Sequence, residues 1–242
     1  LAIEGQATVI AGAPNSGKTL ITLAFLRMAI EENEIEGSGI LYINADDSGD
    51  GITTKASFCI VYGIRTLSPH IQKISTADIT SHIDYMIETE KAFKRTLIFD
   101  TVKKFVDVMD KGKQRIWFDL IRKWTAAGGS AILLTHTNKH RDREGASIYS
   151  GTADILQDMD WLYNLDIVDD TDKEWRTVQF TLQKARGNNV PELAVKYLKQ
   201  ADTWLDKAYS VTILDDQDAV RKVKAKASRD IYRQKNAHAV AD

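Results

Sequence analysis

Gly12-Ala13-Pro14-Asn15-Ser16-Gly17-Lys18-Thr19 is the stretch whose reading decides the fold. It fits Gly, any four residues, Gly-Lys, then Ser or Thr, the pattern of a phosphate-binding loop. The apolar run at 7–11 reads as a buried strand feeding the loop, and 20–29 reads as a helix leaving it. Glycines at 12 and 17 let the backbone wrap closely. Consecutive N–H groups then form an anion nest at a positive helix terminus. Lys18 supplies a mobile cation for β- and γ-phosphates, and Thr19 offers a hydroxyl to Mg²⁺. Gly12, Ala13, Pro14, Asn15, Ser16, Gly17, Lys18 and Thr19 are therefore the candidate nucleotide-binding residues.

Outward from this loop, apolar runs of strand length alternate with longer helical patterns, the mark of an α/β fold with a mainly parallel sheet. Strands are expected at 40–43, 71–74, 96–99 and 131–134, and helices at 18–32, 51–62, 80–94 and 114–127. The first helix is apolar nearly all round, so it should be deeply buried. From Trp161 on the pattern turns mostly to strands: 177–183 alternates in period two, and 194–198 and 209–213 follow. Antiparallel strands are thus appended at the C-terminal side of the sheet. Residues 1–214 read as one domain and 215–242 as a charged C-terminal helix or tail.

The chain has 242 residues, enough for one domain with a real core, and 43% of them are hydrophobic, which excludes a disordered chain. A formal net charge of −2 means that any nucleic-acid surface must be local. No apolar run reaches membrane-span length. Residues 1–5 lack a charged segment ahead of an apolar core, so no signal peptide is expected, and the start at Leu1 leaves room for a preceding segment. Cys59 is the single cysteine, which excludes an internal disulfide and reads as a small core residue. The expected location is the cytoplasm. Trp117 and Trp124 stand a heptad apart on one helix and read as packing residues.

An NTPase needs a second carboxylate on the metal side. Asp100 ends the apolar run Thr96-Leu97-Ile98-Phe99, at the edge where open α/β sheets bind ligands. Asp100 and Thr19 are the candidate Mg²⁺ residues. Thr101 follows Asp100, so the acid that orients the attacking water must come from elsewhere. The segment Asn44-Ala45-Asp46-Asp47 offers one, expected one strand over from the phosphate loop. Asp46 is the candidate general base and Asp47 the fallback. A third strand end carries Thr135-His136-Thr137, and His136 can hydrogen-bond a γ-phosphate and report its presence.

With these strand ends in place the sequence resembles the RecA-like ATPases, and within them the hexameric replicative helicases of the DnaB and plasmid RepA type. Residues 98–105 are similar to the second motif of RepA-type helicases, 134–139 to their phosphate-sensing strand end, and 150–160 to the Gly-Ser-then-acidic motif of DnaB-type proteins. Gln183-Lys184-Ala185-Arg186-Gly187-Asn188-Asn189 resembles their hairpin with a Lys-x-Arg pair. The resemblance implies that Lys184 and Arg186 reach a neighbour's γ-phosphate, and that ATP with Mg²⁺ is the cofactor pair. The chain departs from the pattern in having Asp rather than Glu at 46, and it contains no collar or primase-contact domain.

The resemblance further implies a hexameric ring of identical subunits around single-stranded DNA held by mobile loops. The candidates are 103–115, with Lys103, Lys104, Lys111, Lys113 and Arg115, and 139–147, with Lys139, His140, Arg141 and Arg143. Acids interleave in both, and solvated loops are the other reading. The expected function is an ATP-hydrolysing motor, a replicative DNA helicase of plasmid or phage type. The alternative is a non-helicase ATPase of the same kind: a loader, a recombination mediator or a nucleotide-driven assembly switch.

Overall fold

The computed structural model describes residues 1–106, 110–141, 147–149, 159–187 and 189–214. Strand β1 (Ala7–Gly12) runs into the glycine loop and helix α1 (Lys18–Glu31). Then come β2 (Ile40–Asn44), α2 (Asp50–Val61), β3 (Arg65–Leu67), α3 (Pro69–Gln72), α4 (Thr76–Glu88) and β4 (Thr96–Asp100). Next are α5 (Lys111–Ala126), β5 (Ser130–Arg141), β6 (Ser147–Tyr149), β7 (Trp161–Asp169), β8 (Trp175–Ala185), β9 (Glu192–Leu198), α6 (Trp204–Tyr209) and β10 (Thr212–Ile213).

The strands lie in the order β10-β9-β8-β7-β1-β5-β4-β2-β3, with β6 hydrogen-bonded to the far end of β5. From β7 to β3 every pairing is parallel, whereas β8, β9 and β10 are antiparallel additions. The chain is therefore a mixed α/β protein with a mostly parallel central sheet, and its antiparallel strands stand at the C-terminal side.

Both faces of the sheet are buried, which explains the unbroken apolar strands. Ala7, Val9, Ala11, Leu97, Phe99, Ala131 and Leu133 pack on one face with Ile83 of α4 and Trp117, Ile121 and Trp124 of α5. Ile10, Tyr42, Ile98, Ile132 and Leu134 pack on the other with Leu20, Ile21, Leu23 and Ala24 of α1, Phe58 and Cys59 of α2, and Ala208 of α6. The alternation along β1, β4 and β5 is the period-two geometry of a strand. Cys59 and both heptad-spaced tryptophans are core residues, as the sequence suggested.

The structure differs from the sequence expectation in several elements. Residues 71–74 form no strand. Ser68 and Pro69 start helix α3 instead, and Ile71 is 62% exposed. Pro fits the first helical position because its missing N–H has no partner there anyway. Helix α4 starts earlier, at Thr76, because Ser75 and Asp78 form a reciprocal capping box. Thr203 and Asp206 do the same for α6, which takes Tyr209 out of the expected strand and leaves only Thr212–Ile213. Asp110 caps α5 by accepting from Gly112 and Lys113, so residues 111–115 of the segment 103–115 are helix rather than mobile loop. Strand β5 extends to Arg141, which pairs with Ser147 of β6, so residues 139–141 and 147 belong to strands rather than to a loop. Residues 107–109, 142–146, residues 150–158 of the Gly-Ser-then-acidic stretch at 150–160, Asn188 and the tail at 215–242 lie outside the described residues.

Candidate active site

Register aligns the strand ends. Gly12 stands opposite His136, and Asp100 stands between Asn44 and Leu134. The carboxyl ends of β1, β5, β4 and β2 thus form one edge, where an open α/β sheet presents ligands. By the alternation of β2, β4 and β5, Tyr42, Asp100 and His136 share the face covered by α1 and α2.

The glycine loop is held from several sides. Gly17 has φ +93°, in the left-handed region that favours glycine. Lys18 Nζ donates to the carbonyl oxygens of Gly12 and Ala13, both at 2.9 Å. Ser16 Oγ is buried with no protein partner, an orphan hydroxyl inside the loop. Two side chains of the antiparallel extension brace the loop from behind. Arg176 Nη1 donates to Asn15 O at 2.9 Å, and Tyr197 Oη donates to Ser16 O at 3.2 Å. Arg176 is itself held by Asp170 at 2.9 and 3.1 Å. Burial lowers the Lys18 ammonium to about 8, against the pull of Asp100 and Asp46, while Lys103 adds to the lowering. A partly desolvated lysine next to orphan donors is primed for an anion.

Asp100 is 3% exposed. Its Oδ2 accepts from Thr19 Oγ1 at 2.7 Å and from Tyr42 Oη at 2.8 Å. Burial raises its pKa, opposed by Lys55 and by these two hydroxyls. Among the described residues no group of three or more His, Cys, Asp or Glu could by itself hold a metal. Mg²⁺ does not require one, because it binds through one or two protein oxygens and completes its shell with phosphates and waters. Thr19 and Asp100 fit that donor set.

The order β1-β5-β4-β2 corrects one expectation: two strands, not none, separate β2 from the glycine-loop strand. The turn after β2 nevertheless carries Asp46 back over β4, so that its Oδ2 lies 3.7 Å from His136 Nε2. That distance is an electrostatic contact rather than a hydrogen bond. Burial lowers the pKa of His136, helped by Lys18 and Lys103 and opposed by Asp46. Asp47 points elsewhere. It accepts from Asn44 Nδ2 at 2.8 Å and pairs with Lys55. The turn is anchored by Ala45 N, which donates to Asp100 O at 2.7 Å, and by His70 Nε2, 3.2 Å from Ala45 O.

Lys184 and Arg186 lie at the other end of the sheet. Lys184 pairs with Leu162 and Ala185 with Trp161, which in turn pairs with Thr8 near the start of β1. Arg186 Nη1 is 3.7 Å from Asp160 Oδ1, and Asp160 Oδ2 accepts from Ala7 N at 2.9 Å. Burial lowers the Lys184 pKa, with the Arg186 and Arg122 charges adding to it and Asp160 opposing. A basic cluster thus sits beyond the beginning of β1, while the glycine loop follows its end.

Sequence reasoning missed Tyr42, Lys55, His70, Arg176 and Tyr197. A tyrosine inside the buried run Ile40-Leu41-Tyr42-Ile43 was a readable signal, since a buried phenol needs an acceptor. The others are brought in by topology alone. A cavity of about 790 Å³ between α1, residues 1–6 and the opposite strand ends holds none of these side chains. Among the described residues no helix is long and apolar enough to cross a membrane. No known family model and no curated protein matches the chain.

Proposed function

We propose that this chain is an ATP-hydrolysing motor of the RecA-like kind, a ring-forming replicative DNA helicase of plasmid or phage type acting on single-stranded DNA. The observation that carries the reading is the convergence of Lys18, Thr19, Asp100, Asp46 and His136 on one sheet edge, with Thr19 and Asp100 at 2.7 Å and Asp46 and His136 at 3.7 Å. In this reading the N–H groups of the loop and Lys18 hold the β- and γ-phosphates. Thr19 and Asp100 would hold Mg²⁺, which would neutralise charge on the phosphate oxygens. Asp46 takes the proton of the attacking water as its oxygen bonds to Pγ and the bond to the ADP oxygen breaks. His136 Nε2–H donates to a γ-phosphate oxygen and couples its presence to the ribbon that continues β5.

The position of Lys184 and Arg186 supports a trans role. Four residues of β1 separate the Trp161 level from Gly12, roughly 13 Å at 3.3 Å per residue. The pair lies at the opposite end of the sheet from its own glycine loop, and in this reading it serves a phosphate of a neighbouring copy. A loop at one end of the sheet and a finger at the other define a head-to-tail contact, which closes into a ring when the rotation allows. The formal charge of −2 favours a second reading, a non-helicase RecA-like ATPase such as a loader, recombination mediator or assembly switch. ATP turnover with and without single-stranded DNA at low salt, followed by strand displacement, separates them. Stimulation with displacement supports the helicase, and stimulation without it supports the loader or mediator. No DNA binding at low salt contradicts the helicase.

A further inference from the structure

We propose that Tyr42 is a positioning residue for the metal-side carboxylate: its phenol locks Asp100 in the rotamer that takes the Thr19 proton. The inference rests on the reading of the site given above. Two hydroxyls converge on one oxygen, Asp100 Oδ2, at 2.7 Å from Thr19 and 2.8 Å from Tyr42. Tyr42 is 1% exposed, so its hydroxyl has no water to turn to. Other buried tyrosines satisfy their hydroxyls on main-chain carbonyls, as Tyr163 does on Val190 O at 2.9 Å. Among the described buried tyrosines, Tyr42 is the one whose hydroxyl donates to a carboxylate of the site.

The consequence follows from lone-pair geometry. A hydroxyl that ligates a cation must turn its proton away from the ion. Thr19 can do so only if an acceptor waits behind it, and Asp100 Oδ2 is that acceptor. A carboxylate rotates about its last torsion with little resistance, because terminal sp³–sp² torsions are broad. The phenol, fixed on the rigid strand β2, removes this freedom. The charge of Lys55, which is paired with Asp47, favours the charged Asp100 carboxylate from a distance and does not fix its rotation. Groups behind a metal site typically change metal affinity by 10- to 100-fold when removed.

The test is Mn²⁺ binding, read by electron paramagnetic resonance, to the full chain saturated with a non-hydrolysable ATP analogue. Tyr42→Phe is expected to weaken Mn²⁺ binding by about tenfold, while affinity for the analogue in excess chelator stays at the wild-type value. Tyr163→Phe deletes a buried tyrosine hydroxyl away from Asp100 and is expected to leave both unchanged. Equal Mn²⁺ affinity in wild type and Tyr42→Phe overturns the proposal. Equal losses in both variants overturn it too, since that marks a general packing effect. A wild-type chain that binds no analogue at all removes the reading of the site and this inference with it. If Tyr42→Phe does not fold, site-specific 3-fluorotyrosine at 42 keeps the hydroxyl. Its ¹⁹F resonance must shift when Mg²⁺ is added to the complex, and an unmoved resonance overturns the proposal.

Discussion

Asp46 Oδ2 and His136 Nε2 meet at 3.7 Å although strand β4 lies between the strands that carry them. The turn after β2 folds over the end of β4, and only the first of its two acids reaches the histidine. Asp47 is occupied by Asn44 and Lys55. Asp46→Asn is therefore expected to lower kcat by a factor on the order of 10²–10⁴ with ATP affinity unchanged. Asp47→Asn is expected to keep kcat within a few-fold and to lose stability instead, about 1–3 kcal/mol, as Lys55 loses its partner. Single-turnover rates and urea denaturation of both variants check the division. The reverse pattern would exchange their roles.

Lys18 links binding to protons. Burial lowers its ammonium from 10.5 to about 8, so the folded chain releases this proton before the unfolded chain does. Between about pH 8 and 10.5 the unfolded chain holds more protons, and this group's contribution to stability rises with pH. Triphosphate binding runs the other way, because the polyanion favours the charged form. ATP affinity should fall as pH rises above about 8, with proton uptake on binding at about pH 8.5. Calorimetry in buffers of different ionisation enthalpy reads that uptake. Zero uptake there would show that Lys18 does not meet the phosphates.

Gly17 has no room for a side chain. A Cβ on it would lie 2.7 Å from Tyr197 Oη, and its φ of +93° disfavours L-residues. Gly17→Ala is expected to cost about 1–3 kcal/mol in stability and to weaken ATP binding by tenfold or more, since the nest opens. Adding Tyr197→Phe removes the oxygen but not the backbone strain, so only part of the loss should return. Isothermal titration of the single and double variants measures it, and full recovery would locate the whole effect in the clash.

The sequence carried the glycine loop, Asp100 and His136 because each sits at the end of an apolar run, where local pattern and chemistry coincide. Strand order was not legible, since nothing in Ile40-Leu41-Tyr42-Ile43 says that two strands will intervene between it and β1. The choice between Asp46 and Asp47 likewise depends on a turn conformation that spacing does not encode. Helix α3 was misread because it is a single turn, Pro69–Gln72, that ends at a left-handed Lys73 inside the window 71–74, too short for periodicity to separate helix from strand. Arg176 and Tyr197 reach the loop only through antiparallel pairing across more than 150 residues of chain separation, 161 and 181 in their hydrogen bonds.

Trp124 anchors the face opposite α1. It is fully buried, its Nε1 donates to Ser130 O at 2.9 Å, and a Cβ at Gly129 would run into its ring. Trp124→Ala is expected to destabilise the fold by about 3–5 kcal/mol, read by chemical denaturation. A loss below about 1 kcal/mol would mean that the cavity collapses.

A site completed by a second copy is the central claim, and mixing two inactive variants tests it most directly. Lys18→Ala removes the phosphate-binding cation and Arg186→Ala removes the finger, so each protein alone should turn over ATP slower by a factor on the order of 10³ or more. In a mixture, the Arg186→Ala copy supplies an intact glycine loop and the Lys18→Ala copy supplies an intact Arg186. ATP turnover should therefore reappear on mixing, in proportion to the interfaces that join the two. Wild-type turnover by Arg186→Ala alone, or mixed oligomers as inactive as either variant, would contradict it.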